Sequence, residues 1–206
     1  MKPLLRAVNL SKSFGTLSAL QHVSLHIDPA EVVGLAGESG SGKSVLTMLL
    51  AGFRVPDEGE IYFEGRRMSA LSQGRRSFSR PSRARALGIE VVHQTPDLAE
   101  DLDITSNVFL GSEIGWPSIT KAGRPWLKIP NRRRMDEETA RILEQLDVTF
   151  RALHQSVANL SGEQRQMIAI ARAMTRPAKL VIIDDPTLVL SYAYQQKLLS
   201  VIQMWQ

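Results

Sequence analysis

Cysteine is missing from this chain of 206 residues, which excludes disulfides and thiolate metal sites and fits a reducing compartment such as the cytoplasm. Long apolar runs are missing too. No stretch approaches the roughly 20 residues needed to cross a bilayer, and the opening "MKPLLRAVNLSKSFG" has no signal-peptide core. Work at a membrane would therefore fall to a partner. No zinc-finger spacing, recognition-helix pattern or internal repeat occurs, and neither basic stretch (65–85 and 121–134) interleaves arginine with aromatics as single-strand binders do. The formal charge of +4 is accordingly assigned to solvated loops or a partner-facing surface, and nucleic acid is not an expected partner.

What is present is an ordinary globular composition, 43% hydrophobic and 22% charged, sufficient for one domain with a real core. The first 65 residues read as short strands: "VSLHID" (23–28), the nearly continuous apolar "EVVGLA" (31–36) and the alternating "GEIYFEG" (59–65). An Arg/Ser-rich stretch, 66–86, is expected to be loop plus a short helix, followed by a buried strand at "GIEVVH" (88–93). From Gln94 to Arg176 the pattern turns helical. Met135, Thr139, Ile142, Leu143 and Leu146 share one helix face, and Met167, Ile170, Ala171 and Met174 share another that Pro177 stops. A third buried strand, "LVII" (180–183), and a last helix over 191–206 complete the chain. Strands alternating with helices predict a parallel sheet covered by helices, with a β-rich start and a helical insertion.

The chemistry concentrates in three places. "GESGSGKS" (37–44) fits G-x-x-x-x-G-K-[ST], with an apolar strand expected before it and an apolar helix, "VLTMLLAGF", after it. Gly37, Gly40 and Gly42 let the backbone curl so that the N–H groups of Glu38, Ser39, Ser41 and the helix start through Val45 face one anion. Lys43 adds a point charge for β/γ oxygens and Ser44 a hydroxyl for Mg²⁺. This is a nucleoside-triphosphate cradle, where a plain Gly/Ser turn would need neither flank. After "LVII", Asp184 is the candidate metal-side carboxylate, and Asp185 the candidate for orienting or deprotonating water. At "LSGEQ" (160–164), Ser161 and Gln164 form a capping box, and the glycine-opened helix start is a second phosphate site. One nucleotide does not need two cradles, so this one suits a nucleotide held by another copy.

In this order, "GESGSGKS", Gln94 within "VVHQTPDL", "LSGEQRQMIAIARAM" and "LVIIDDPT" resemble the ATPase subunit of an ATP-binding cassette (ABC) transporter along the whole chain. The resemblance implies a P-loop α/β fold with an antiparallel β subdomain at the N-terminus and a parallel core sheet. Residues 1–93 and 177–206 would form the ATP-binding core, and 94–176 a helical subdomain. It implies ATP and Mg²⁺ as ligands, with Phe14 stacking on adenine and Ser44, Gln94 and Asp184 on the metal side. Gln94 would also meet the attacking water and link the site to a permease, while Ser161, Gly162 and Glu163 would face the γ-phosphate of a second cassette, head to tail. "SRPSRARALGIEVVHQTPDLAEDLDITSNVFLG" and "NRRRMDEETARILEQLDV" are similar to the first cassette of ribose/xylose-type importers, which act with a membrane permease and, indirectly, a solute-binding protein. The place implied is the cytoplasmic face of the membrane, held there through the permease.

Three departures stand out. Asp185 occupies a position where the family has glutamate, Ser191 one where it commonly has aspartate, and the family's γ-phosphate histidine lies past the last residue here. His22, His26, His93 and His154 are all elsewhere and read as structural. The sequence is thus either part of a longer protein or a shortened product, and the isolated chain is expected to be only modestly stable for want of sheet partners. Two rivals remain: a soluble cassette ATPase, which would usually carry paired cassettes or coiled-coil insertions, and a regulatory subunit that binds ATP without hydrolysing it.

Overall fold

Leu5, Ala7 and Leu10 turn inward along β1 (Leu5–Phe14), and this decides which face of the N-terminal sheet meets the core. The computed structural model describes residues 2–68, 81–115, 120–121, 124–125, 129–185 and 190–204. After β1 come β2 (Leu17–Ile27), α1 (Lys43–Leu50), β3 (Glu58–Phe63), the two-residue β4 (Arg66–Arg67), α2 (Pro81–Ala86) and β5 (Ile89–Val92). A second run holds α3 (Ile104–Val108), the ribbon β6 (Thr120–Lys121) and β7 (Arg124–Pro125), α4 (Arg132–Gln145) and α5 (Gly162–Met174). The chain closes with β8 (Leu180–Ile183) and α6 (Tyr192–Met204).

Two compact units result. The first contains the described residues of Met1–Val91 and Lys179–Asp184, the second Val92–Ala178 and Asp185–Met204. In the first, an antiparallel sheet in the order β2-β1-β3-β4 and a parallel pair, β5-β8, share one core with α1. Leu46, Leu49 and Leu50 of α1 pack in a cluster with Leu5, Leu10, Ile61, Phe63, Ile89 and Ile182. Each such side chain stabilises by about 1.5–3 kcal/mol on burial. Gly59 (φ +88°) marks where β3 crosses β1: an added Cβ would lie 2.3 Å from the Asn9 carbonyl oxygen, so only glycine fits.

In the second unit, α3, α4 and α5 bury Ile104, Val108, Met135, Thr139, Ile142, Leu143, Met167, Ile170 and Ala171. The expected helical faces are present, except that Met174 is only half-buried. No helix among the described residues is long and apolar enough to cross a membrane. Most of the Arg/Ser-rich stretch (69–80) and parts of the second basic stretch lie outside the described residues, as does Pro186.

One expectation fails. "EVVGLA" is not a strand: residues 31–36 carry no ladder, and Val32, Val33 and Leu35 are 54%, 51% and 49% exposed. A strand exists only as one side of a pair, and no described strand pairs with this segment. Apolar periodicity alone could not reveal that.

Candidate functional site

The cradle is built where 37–42 turns into α1. Gly42 caps that helix at φ 93°, ψ 4°, a left-handed conformation, and a Cβ there would sit 2.5 Å from the Ala19 carbonyl oxygen of β2. Backbone conformation and space both demand glycine. Among the described residues no side chain caps α1, and no acidic residue occupies its first turn, so its first N–H groups and positive dipole end are open to an anion. Lys43 folds back instead: its Nζ donates to the Gly37 and Glu38 carbonyl oxygens at 2.7 Å each. Ser41 N–H donates to Glu38 O at 3.2 Å, and Val45 packs half-buried against the core. The loop is therefore closed on its own lysine, which an incoming phosphate would have to win.

Asp184 directly follows β8, and its Oδ1 lies 3.4 Å from Ser44 Oγ, within the same unit. A hydroxyl and a carboxylate are the hard oxygen donors that suit Mg²⁺. No group of three or more His, Cys, Asp or Glu side chains among the described residues is placed to hold a metal ion. These two residues thus fit an ion that keeps phosphate oxygens and waters as its other ligands. Asp185, the next residue, is exposed and left-handed (φ 40°).

Phe14 ends β1 with 41% of its surface exposed, available for stacking. Beside it, Lys12 Nζ stands 5.8 Å from the ring centroid and bonds Asp57 Oδ1 at 2.6 Å. That ammonium, with the Ser13 N–H, holds the Asp57 carboxyl below its usual range. Phe14 is therefore approached by the Lys12 cation and keeps part of its surface open to solvent.

In the second unit, Gln94 is exposed in the bend after β5. Ser161 and Gln164 form the expected capping box of α5, at 3.2 and 3.1 Å. Gly162 would meet nothing within 4 Å with a Cβ added. Glu163 turns its carboxylate to the Ser191 N–H, joining the start of α5 to the start of α6.

Sequence reasoning missed the residues that hold this unit's loops. Asn107 of α3 is fully buried, and its Nδ2 donates to the carbonyls of Ala99, Leu102 and Asp103 while its Oδ1 accepts from Ala99 N–H. Arg172 of α5 donates to the Asp97 and Asn107 carbonyls, each at 2.8 Å. The available signal was a polar residue on an apolar face: Asn107 lies between buried Ile104 and Val108. Asp103 caps α3 through the Ser106 N–H and pairs with Arg132 of α4. His154 sits 2.8 Å from that guanidinium, a structural place as expected.

Burial pushes the Asp103 carboxyl up, but Ser106 and Arg132 outweigh it and hold it below its ordinary value. A depressed carboxyl stabilises fully above its unfolded pKa of about 3.9 and loses that contribution as pH falls through it. Asp103→Asn should therefore lower the urea midpoint at neutral pH, with the gap to the native chain closing as the pH falls below the unfolded value and through the lower folded one. A gap that persists at the acid end would show that Arg132 does not depend on the charge of Asp103.

Comparisons with known proteins agree with this geometry. Residues 20–188 match the ABC transporter family. The xylose/arabinose import ATP-binding protein XylG of Sulfolobus acidocaldarius is 37% identical over 200 residues, covering 97% of this chain and 72% of that protein. The fructose import ATP-binding protein FrcA of Rhizobium meliloti is 36% identical, covering 98% and 74%. A ribose import protein, RbsA of Clostridium perfringens, is 35% identical over 98% of this chain, which spans 37% of it. Among solved structures, a nucleotide-free ATP-binding cassette from an ABC transporter superposes with TM-score 0.76 at 26% identity, over 99% of this chain and 78% of that one. A dimeric cassette bound to ADP and phosphate shares the fold, with TM-score 0.77 at 23% identity over 97% and 81%. With its uncapped, lysine-closed loop and its carboxylate-ended strand, this chain belongs to the ABC transporter family and is built as one of the family's ATPase cassettes.

Proposed function

We propose that this chain is the ATP-hydrolysing subunit of a sugar importer, and that ATP and Mg²⁺ occupy the cradle of 37–45. The observation that carries the reading is the uncapped α1 start with Ser44 facing Asp184. Phe14 would stack on adenine, Lys43 and the loop N–H groups would hold the β/γ-phosphates, and Ser44, Asp184 and Gln94 would serve the metal side. Bound Mg²⁺ would neutralise phosphate charge. Asp185 and Gln94 would place the attacking water, with Asp185 accepting its proton. The relatives named for xylose, fructose and ribose import favour a monosaccharide as cargo over a role in translation or repair. Work at the membrane then requires a permease, on whose inner face the cassette would sit.

Dimerisation follows from the signature segment. Nothing among the described residues needs a glycine at 162, since a Cβ there meets none of them within 4 Å. Glycine at a helix start is a small liability that an approaching phosphate would justify. Gly162→Ala should leave the chain's own stability unchanged or raise it by up to about 1 kcal/mol. Sedimentation with ATP should show a dimer for the native chain and none for this variant. A variant that dimerises on ATP as the native chain does would remove Ser161, Gly162 and Glu163 from the nucleotide site. Co-purification with an integral membrane protein, rather than with ribosomes or DNA, separates the importer from the soluble ATPase.

A further inference from the structure

We infer that Gln166 is a positioning residue for Gln94, acting through the carbonyl of His93; this rests on the role proposed for Gln94 above. Gln166 is fully buried in α5, in the same i, i+4, i+7 row as Ile170 and Ala173. Its Nε2 donates to His93 O at 3.0 Å, while its Oε1 has no hydrogen-bond partner among the described residues. An amide that merely filled space would be better replaced by an apolar chain, because the orphaned oxygen is costly. What the amide provides is one directed bond.

That bond has a geometric consequence. The His93 C=O and the Gln94 N–H belong to one planar peptide unit. Fixing the His93 oxygen therefore fixes the plane from which the exposed Gln94 side chain departs. Further along α5, Arg172 grips the Asp97 carbonyl at 2.8 Å, and Asn107 holds Ala99, Leu102 and Asp103. Gln94, Thr95 and Pro96 thus lie between two anchors supplied by one helix. That helix begins at Ser161–Gly162, so displacement of the signature end is delivered to the peptide plane of Gln94 without an intervening element.

Gln166→Met keeps the volume and removes the donor. Hydrogen exchange on the nucleotide-free chain should show the Gln94 and Thr95 amides exchanging about 10-fold faster. Ile170→Val, a core change in α5 that leaves the His93 bond intact, is the control: only acceleration at 94–95 beyond that control supports the inference. ATP turnover should fall about 10-fold, with ATP affinity within about twofold. The fall should vanish in a Gln94→Ala background, because a positioned residue that is gone cannot be mispositioned. Unchanged exchange at 94–95, or a turnover loss that is fully additive with Gln94→Ala, overturns the inference. If Gln94→Ala itself leaves turnover untouched, the role proposed for Gln94 fails and Gln166 positions no catalytic group.

Discussion

Lys43→Ala should weaken ATP binding by about 100-fold or more in a fluorescence titration, the loss expected for a charge-assisted contact to phosphate in a partly desolvated loop. The same substitution should cost the empty chain little. Among the described residues its ammonium holds the Gly37 and Glu38 carbonyls of an exposed loop, and exposed bonds of this kind contribute about 1 kcal/mol at most. The two effects have opposite meanings. A large loss of affinity with an unchanged unfolding midpoint identifies Lys43 as a phosphate ligand, whereas unchanged affinity would remove 37–45 as the nucleotide site. Because Lys43 must leave two carbonyls to reach a phosphate, the native chain should bind ATP with an unfavourable reorganisation that a shorter side chain never meets. Lys43→Arg is therefore a useful companion: it keeps the charge but not the compact head that fits between those carbonyls.

The cradle was legible because it is local. Its proposed residues are contiguous, and each would work through backbone conformation or the first turn of α1, so spacing alone is enough to propose them. The faces of α4 and α5 were legible for a similar reason, since four buried positions at helical spacing on α4 leave little choice. β1 was harder to read, because its alternation shifts at Asn9 (φ 49°), where the pairing slips between Val8 and Ser11. The segment 31–36 looked like a strand and is not one, because pairing depends on a neighbour that no local pattern specifies. Asn107, Gln166 and Arg172 were illegible for a third reason. Their function is to hold carbonyls of one loop, and a sequence does not say where carbonyl oxygens point. Gln94 entered through resemblance and Asp185 through its place after an apolar strand, and both roles rest on experiment.

Asp185→Glu should raise ATP turnover by about 10- to 100-fold in the full protein, with ATP affinity unchanged. The carboxylate of aspartate stops one C–C bond, roughly 1.5 Å, short of where glutamate would reach, and misplacement of about 1 Å can cost on the order of 100-fold in rate. The backbone pulls the other way. Asp185 is held at φ 40°, and aspartate tolerates the left-handed region better than glutamate, which would pay about 1 kcal/mol there. The substitution is thus expected to trade a small loss of thermal stability for reach. A coupled phosphate-release assay and a thermal melt on the same samples separate the two effects. Faster turnover with a lower melting temperature supports Asp185 as the residue that accepts the water's proton. A lower melting temperature with no gain in rate would mean that reach is not limiting. If ATP still drives dimerisation with no phosphate released by either protein, the chain binds nucleotide as a regulatory partner, and the shorter acid at 185 records a catalytic role already given up.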